Sequence, residues 1–283
     1  MKYGLVISLI LILSACQPLR VTSTSTLTEV HSVNTRTQTL YPPPRDITTT
    51  PKTATPTTQP TATRNLIEIS SPLEGETIET LPKILVNPLD IPGFGQDTGH
   101  HGVDFAYFKR GERESIQGIE IYSILSGKIV TTLTDRIPYG YAIIVETPLK
   151  DLPSELADKL FNGYLPVPDD PYYRLYCPPV DPPSVTGEYS LYHLYAHMEA
   201  PSSYQSGEEI SAGNKLGTVG NSGYSSNPHL HLETRLGPSG ANLPSMAHYE
   251  NSCTDEEMGN YCLWRMSGYY QLVDPFLIFG FQP

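Results

Sequence analysis

Glycine and proline divide this chain into short segments, and this constrains its fold more than any other feature of the sequence. The 283 residues include 27 prolines and 22 glycines but only 17% charged residues, a composition that disfavours helical bundles and coiled coils. Beyond residue 64, the segments between these breaks alternate apolar and polar side chains, which is typical of antiparallel strands. We therefore predict a mainly β, antiparallel domain, with its clearest strands at residues 119–124, 127–130, 142–145 and 189–197.

The acidic charge of the chain excludes one class of partner. Residues 65–283 contain 12 basic and 28 acidic side chains, a net charge of −16. A phosphate backbone or an anionic lipid surface must be neutralised by Lys and Arg, so we expect neither as the main partner. Nucleic-acid binding is not expected.

The start of the chain resembles the export signal of a bacterial lipoprotein. Lys2 precedes an apolar run over residues 5–13, which is shorter than the roughly 20 residues needed to span a bilayer. The run ends in Leu13-Ser14-Ala15-Cys16, which resembles a lipobox. The resemblance implies that residues 1–15 are removed and that Cys16 is acylated, the alternative being an ordinary secretory signal with an incidental cysteine.

A spacer follows this signal. In residues 21–63, 25 of the 43 positions are Ser, Thr or Pro, and too few apolar side chains are present to order the chain. We expect residues 16–64 to be a disordered tether and residues 65–283 to be the folded domain. Gln17 after the cysteine favours, by resemblance, sorting to an outer membrane if the cell has one.

Two long connections interrupt the strand pattern, at about residues 148–188 and 237–270. In the first, we expect Ser154 to cap a short helix that ends near Gly163. The second contains Cys253 and Cys262, the natural disulfide pair in an exported protein, with Cys177 left free or competing for one of them.

Most histidines of the folded part lie in three short clusters. In the first, His100 and Asp104 flank Gly102, and we interpret this segment as extended, with both side chains on one face. A histidine nitrogen and an aspartate oxygen on one face suit zinc, although such a pair also occurs on ordinary surfaces.

The other two clusters alternate with apolar residues. His229, His231 and Glu233 are separated by leucines, so a strand would gather two imidazoles and a carboxylate on one face and place the leucines in the core. A polar outer face that happens to be rich in histidine is the alternative. In the third cluster, alternation predicts that Tyr195 shares one face with His193 and His197.

In their order along the chain, the three clusters closely resemble the motifs of the M23 family of zinc metallopeptidases, the LytM or lysostaphin type of peptidoglycan endopeptidase. The family's HxGxD motif stands at residues 100–104, its YAH motif at 195–197 and its HxH motif at 229–231, and similar glycine-rich runs stand at 207–213 and 217–223. The resemblance covers residues 72–279 apart from the two long connections. It implies a LytM-like domain of the duplicated hybrid motif type, here with two long loop insertions.

The resemblance also implies one zinc ion per chain, with water in its fourth coordination position. The matching ligands are His100, Asp104 and His231. His197 and His229 match the family's two catalytic histidines that bind no metal, which act on the water and stabilise the oxyanion; their division of labour stays open.

Further residues near these motifs have candidate roles. Glu233 is expected to orient a histidine or the strand end, with simple solvation as the alternative. His193 and Tyr195 are candidates to line the cleft, with a surface role as the alternative for His193. His101 stands at a variable position of the family motif. Family members sometimes block the zinc with an N-terminal segment, for which Asn87 and Asp90 are the candidates.

The implied activity is a zinc-dependent endopeptidase that cuts peptide bonds in peptidoglycan cross-links or stem peptides. The alternative is a non-catalytic or weakly active envelope protein that binds the cell wall or activates an amidase; relatives of that kind lose ligands or catalytic histidines, whereas this chain keeps all five. A third hypothesis is an active peptidase with a secreted protein or a rival's wall as substrate. We expect an exported protein whose only membrane contact is its lipid anchor, with the domain in the periplasm or outside the cell.

Overall fold

The computed structural model describes residues 67–109, 111–169 and 173–281. The predicted signal peptide and tether, including Cys16, lie outside these residues and stay predictions, as does the domain boundary at residue 65. Within the described ranges, no helix has both the length and the apolar character to cross a membrane.

Strands dominate the described part of the chain, which forms ten of them and three α-helices. The strands are β1 (Leu85–Asn87), β2 (Val103–Phe105), β3 (Glu120–Tyr122), β4 (Gly127–Arg136), β5 (Gly140–Pro148), β6 (Tyr189–Met198), β7 (Glu209–Ile210), β8 (Lys215–Thr218), β9 (Leu230–Pro238) and β10 (Gln271–Val273). The helices are α1 (Ser154–Asn162), α2 (Asp255–Arg265) and α3 (Pro275–Ile278). Short 3-10 turns lie at Ile78–Lys83 and Leu149–Asp151.

Eight strands form one sheet in the order β1-β2-β9-β6-β5-β4-β7, with β10 also paired to β9. Strands β3 and β8 form a second, two-stranded sheet. The strand pairs in both sheets are antiparallel. The predicted mainly β, antiparallel architecture is therefore confirmed.

The large sheet has a buried cluster on each face. Along β6, Leu191 and Tyr195 pack into one cluster with β3 and β8, whereas Tyr192, Leu194 and Ala196 pack into the other. The second cluster is completed by α2, which brings Tyr261 and Trp264. Because both faces are covered, strand β6 is buried along nearly all of its length.

The two long connections carry helices and are joined to each other. The first contains the predicted helix, α1, with Gly163 as its C-cap. The predicted cap at Ser154 is wrong, because Pro153 occupies the N-cap position and Ser154 is the first helical residue. The second, predicted to be a loop, contains α2, whose first turn is closed by a capping box between Thr254 and Glu257.

The predicted disulfide between Cys253 and Cys262 is wrong. Cys177 of the first connection is bonded to Cys262 in α2, with Cα atoms 5.9 Å apart, and Cys253 is a free thiol. Proximity in sequence misled the prediction, since α2 turns Cys262 towards the first connection. The disulfide therefore fastens one insertion to the other.

Candidate metal centre and its cleft

Strand register brings the first two histidine clusters together. In the β2–β9 pair Asp104 lies opposite His231, so the two side chains share one face of the sheet. His100 precedes β2, in an isolated bridge to Asp90. Residues 101–102 form a bend, so the segment is not the continuous extended stretch that the even spacing predicts.

Three ligand atoms nevertheless converge. His100 Nε2 lies 3.0 Å from Asp104 Oδ1 and 3.2 Å from His231 Nδ1, and His231 Nδ1 lies 2.8 Å from Asp104 Oδ1. All three atoms lie within 4.8 Å of one another. Donors at about 2.0–2.2 Å from a common ion have comparable mutual spacings, so this group can hold a metal ion.

The second nitrogen of each ligand histidine faces an oxygen. His100 Nδ1 lies 2.8 Å from the carbonyl oxygen of Pro88, and His231 Nε2 lies 3.5 Å from Glu233 Oε2. Donation of these N–H groups leaves the opposite nitrogens free for a metal, the usual arrangement in metal sites. Glu233 thus lies beside the His231 ring, and its role in orienting a histidine stays a prediction.

Gly102 allows the close approach of the two ligand-bearing segments. A Cβ atom at this position would lie 2.5 Å from the carbonyl oxygen of Leu232 and 2.9 Å from His231 Nε2. Both distances are far inside van der Waals contact, so a larger residue would push β2 away from β9. This gives the glycine of the HxGxD motif a steric reason.

Electrostatic coupling shifts the pKa values of Asp104 and His231 in opposite directions. Burial raises the pKa of Asp104, but hydrogen bonds from His100 and His231 outweigh burial and hold it well below its usual value. Burial lowers the pKa of His231, but the Asp104 and Glu233 carboxylates outweigh it and raise the pKa to about 9. Asn87 also donates to Asp104 Oδ2 at 3.1 Å, so this candidate blocking residue contacts a ligand directly.

His197 reaches the same site through a bulge in β6. Ile143 of β5 pairs with Tyr195, but Tyr141 pairs with Met198, so the β6 segment holds one extra residue. His197 takes a left-handed conformation, with φ of 59°. The bulge turns its ring towards His231, with 5.8 Å between ring centroids.

The same bulge overturns the prediction that His193 and Tyr195 line the cleft with His197. Both side chains lie on the opposite face of the sheet, fully buried. His193 Nδ1 bonds the Tyr195 hydroxyl at 2.8 Å, and the hydroxyl also accepts from Ile124 N at 2.7 Å. Strict alternation fails here because it assumes a strand without an extra residue.

His229 lies just before β9 and faces His197, with ring centroids 4.6 Å apart. Its Nδ1 lies 2.8 Å from the carbonyl oxygen of Asn227, and His197 Nδ1 lies 2.8 Å from that of Ser222. Each ring therefore keeps Nε2 free, and His229 Nε2 lies 3.5 Å from Asp104 Oδ1. Burial, together with His231 and His229, lowers the pKa of His197 to about 3, so this imidazole is neutral.

A cleft of about 640 Å³ opens over these side chains. The five predicted site residues His100, Asp104, His197, His229 and His231 all line it, together with Asn87, His101, Tyr139, Tyr224 and Arg265. Such a cleft can admit an extended peptide to a metal bound by three donors and flanked by two imidazoles.

Tyr139 and Arg265 are among the cleft residues that the sequence did not predict. Tyr139 lies in the β4–β5 turn and donates to Glu233 Oε2 at 2.9 Å. Arg265 is the last residue of α2, and its Nη1 donates to the Tyr139 hydroxyl at 3.2 Å. The Thr254-to-Glu257 capping box could have revealed α2, but nothing in the sequence indicates that its end reaches the cleft.

Comparisons with known proteins identify one segment of the chain. The sequence model of peptidase family M23 matches residues 184–243. No curated protein matches the chain.

Several solved structures are similar to it. One is the catalytic domain of the antimicrobial peptidase lysostaphin from Staphylococcus simulans, with 17% identity, a TM-score of 0.34 and coverage of 72% of this chain and 98% of that chain. Another is the catalytic domain of a mutant of the prophage-encoded M23 protein EnpA from Enterococcus faecalis, with 18% identity, a TM-score of 0.30 and coverage of 62% and 84%. A Pseudomonas aeruginosa structure described as a peptidase M23 has 18% identity and a TM-score of 0.27; the match covers 61% of this chain but only half of that one.

Proposed function

We propose that this chain is a zinc-dependent endopeptidase that cleaves peptide bonds in peptidoglycan cross-links or stem peptides. The match of residues 184–243 to peptidase family M23 supports this proposal. The observation that carries the proposal is the convergence of His100 Nε2, Asp104 Oδ1 and His231 Nδ1 at the floor of a cleft. Two imidazoles and one carboxylate suit zinc. Three protein ligands, as opposed to four, leave one coordination position for water, which is typical of catalytic sites.

The chemistry that zinc supplies when bound is Lewis-acid polarisation of a carbonyl and a water whose pKa falls to about 7. The residues of this chain provide the proton transfers around it. His197 and His229 both keep Nε2 free beside the ligand set, and a neutral imidazole can accept a proton at neutral pH and return it to the leaving amine. Either ring can instead donate to the developing oxyanion.

The non-catalytic alternative is not favoured, because all five residues that it would lose are present and line one cleft. We further propose that the protein is exported and anchored through an acylated Cys16, with the domain in the periplasm or outside the cell. Peptidoglycan peptide is then the substrate within reach of the tether.

The experiment is mass spectrometry of purified peptidoglycan after incubation with the protein, with and without a zinc chelator. New peptide ends that disappear with the chelator are expected, and they identify the bond that is cut. If the protein contains one zinc per chain but releases no new peptide ends, the proposed peptidoglycan endopeptidase activity is refuted.

Three histidine variants test the site assignment in the same assay. We expect His231→Ala to lose both zinc and activity, because it removes a ligand, and His197→Ala to keep zinc and lose turnover. His193→Gln is the matched control, since this buried histidine lies on the opposite face of the sheet and should keep both. Full zinc occupancy in His231→Ala, or normal turnover in His197→Ala, would contradict the assignment.

A further inference from the structure

The end of helix α2 contacts the loop before His100 and, through Tyr139, the carboxylate beside His231. Its last residue, Arg265, lines the cleft, although the insertion that carries α2 lies outside the family's motifs. The guanidinium is nearly buried, with 11% of the side chain exposed. It lies 5.8 Å from the centre of the Tyr139 ring and 5.3 Å from that of Tyr261, so its position is fixed on two sides.

On one side Arg265 holds the loop that leads into His100. Its Nε donates to Asp97 Oδ1 at 2.6 Å, and Asp97 precedes His100 by three residues. The hydroxyls of Tyr249 and Tyr261 donate to Asp97 Oδ2 at 2.5 and 2.6 Å. Burial raises the pKa of Asp97, but Arg265 and the two hydroxyls outweigh burial and keep the pKa below its usual value. Three donors from the second insertion thus fix one buried carboxylate.

On the other side Arg265 is connected to His231. Its Nη1 donates to the Tyr139 hydroxyl at 3.2 Å, and that hydroxyl donates to Glu233 Oε2 at 2.9 Å. The same Glu233 oxygen lies 3.5 Å from His231 Nε2. Arg235 donates to the other oxygen of Glu233, so the carboxylate is held from two directions.

We propose that Arg265 is a positioning residue of the metal centre, which joins the loop before His100 to the Glu233 carboxylate that orients His231. The insertion that carries it is then part of the metal site as well as a wall of the cleft. This inference rests on the proposed function, because it concerns the affinity of the same ligands for zinc.

A positioning residue can raise zinc affinity here because the metal ligands come from two segments that are more than 120 residues apart in sequence. Zinc affinity depends on how closely the free ligands already match their bound positions, and polar partners behind the ligands provide this match. Loss of Arg265 removes the guanidinium that links Asp97 to Tyr139 and leaves Asp97 buried with hydroxyl donors only. Both ligand segments then gain freedom that zinc binding must remove.

The test is the zinc affinity of purified Arg265→Met, measured by competition with a chromophoric chelator and without any activity assay. We expect the dissociation constant to rise about 10- to 100-fold, the range typical of lost partners behind metal ligands. Tyr139→Phe, which cuts the same link one step closer to Glu233, should also weaken zinc. The loss of zinc affinity in the double variant should be smaller than the sum of the two single losses, because both changes act on the same connection to Glu233.

Glu257→Gln is the matched control. It removes the ion pair between α2 and Arg136, so it loosens the same helix without touching either ligand segment. A lower melting temperature with unchanged zinc affinity is expected.

The outcomes separate this inference from the proposed function. Equal zinc affinity in Arg265→Met and the unmodified protein would overturn the inference alone, as would equal weakening by Glu257→Gln. If Arg265→Met does not fold, the zinc affinity of Tyr139→Phe takes its place: weaker zinc binding supports the inference, and equal zinc binding overturns it. An unmodified protein that binds no zinc would refute the proposed function itself.

Discussion

Replacement of Tyr195 by Phe tests which face of the sheet carries the YAH tyrosine. In the structure the Tyr195 hydroxyl lies in the core, between Ile124 N and His193 Nδ1. The hydroxyl of Thr147 donates to the carbonyl oxygen of Ser126 at 2.8 Å, so His193 Nε2–H must donate to Thr147 Oγ1, 3.1 Å away. His193 Nδ1 is then an acceptor, and Tyr195 donates to it.

Tyr195→Phe therefore leaves one buried donor and one buried acceptor without a partner. Each such group costs roughly 1–3 kcal/mol, so we expect a loss of roughly 3 kcal/mol in the free energy of unfolding. For a domain of about 200 residues, this corresponds to a melting temperature lower by roughly 6–12 °C. Zinc affinity and turnover of the folded protein should not change.

The assay combines calorimetric unfolding with zinc titration and peptidoglycan digestion of the folded variant. Tyr176→Phe is the control, because Tyr176 is 67% exposed and should unfold at the same temperature as the unmodified protein. A Tyr195→Phe protein with normal stability but weakened zinc binding or slow turnover would place the hydroxyl in the cleft. It would refute the conclusion that the bulge puts Tyr195 and His197 on opposite faces of the sheet.

Two further predictions concern stability. The Cys177–Cys262 disulfide joins residues separated by 85 positions, so Cys177→Ser should lower the free energy of unfolding by roughly 4–5 kcal/mol. Cys253→Ser, the control, should unfold like the unmodified protein. A non-reduced peptide map that links Cys253 to Cys262 would contradict this prediction. Burial lowers the pKa of His193 to about 3 in the folded state, below the unfolded value of about 6.5. The unfolded chain therefore binds the proton first, and stability falls as pH decreases below about 6.5, by roughly 2 kcal/mol at pH 5 from this residue. Denaturant unfolding at pH 7 and pH 5 should show a smaller loss of unfolding free energy for His193→Gln than for the unmodified protein. Equal losses would contradict the burial of a neutral His193.

The ligand set His100, Asp104 and His231 is implied by the resemblance of short motifs to those of the M23 family, and the local strand pattern agrees with it at His231. The alternation around His231 assigns its face correctly, with Leu230 and Leu232 in the core, and antiparallel pairing then brings Asp104 opposite it. The alternation is local to one strand and can be inferred without the tertiary structure, whereas the pairing of β2 with β9 joins distant segments and is known only from the structure.

Other features depend on contacts that no local pattern contains. Which cysteine pairs with Cys262 depends on where α2 lies relative to the first insertion, and Arg265 reaches the cleft only because α2 packs against the second face of the sheet. Long insertions have few periodic signals, and their packing is determined by surfaces that other segments supply. The part of the site that the insertions supply is therefore the part that the sequence predicts least.

The bulge at His197 shows how local strain and function are connected. A left-handed conformation is unfavourable for a residue with a Cβ atom, and here two backbone hydrogen bonds hold it, from His197 N to the Tyr139 carbonyl oxygen at 2.9 Å and from Gly220 N to the His197 carbonyl oxygen at 3.0 Å. Without the extra residue, alternation would place the His197 ring beside Tyr195 in the core, on the side away from the metal ligands. The strained conformation thus places an imidazole over the cleft while β6 stays paired on both sides, and the tyrosine of the motif serves the core whereas its histidine serves the site.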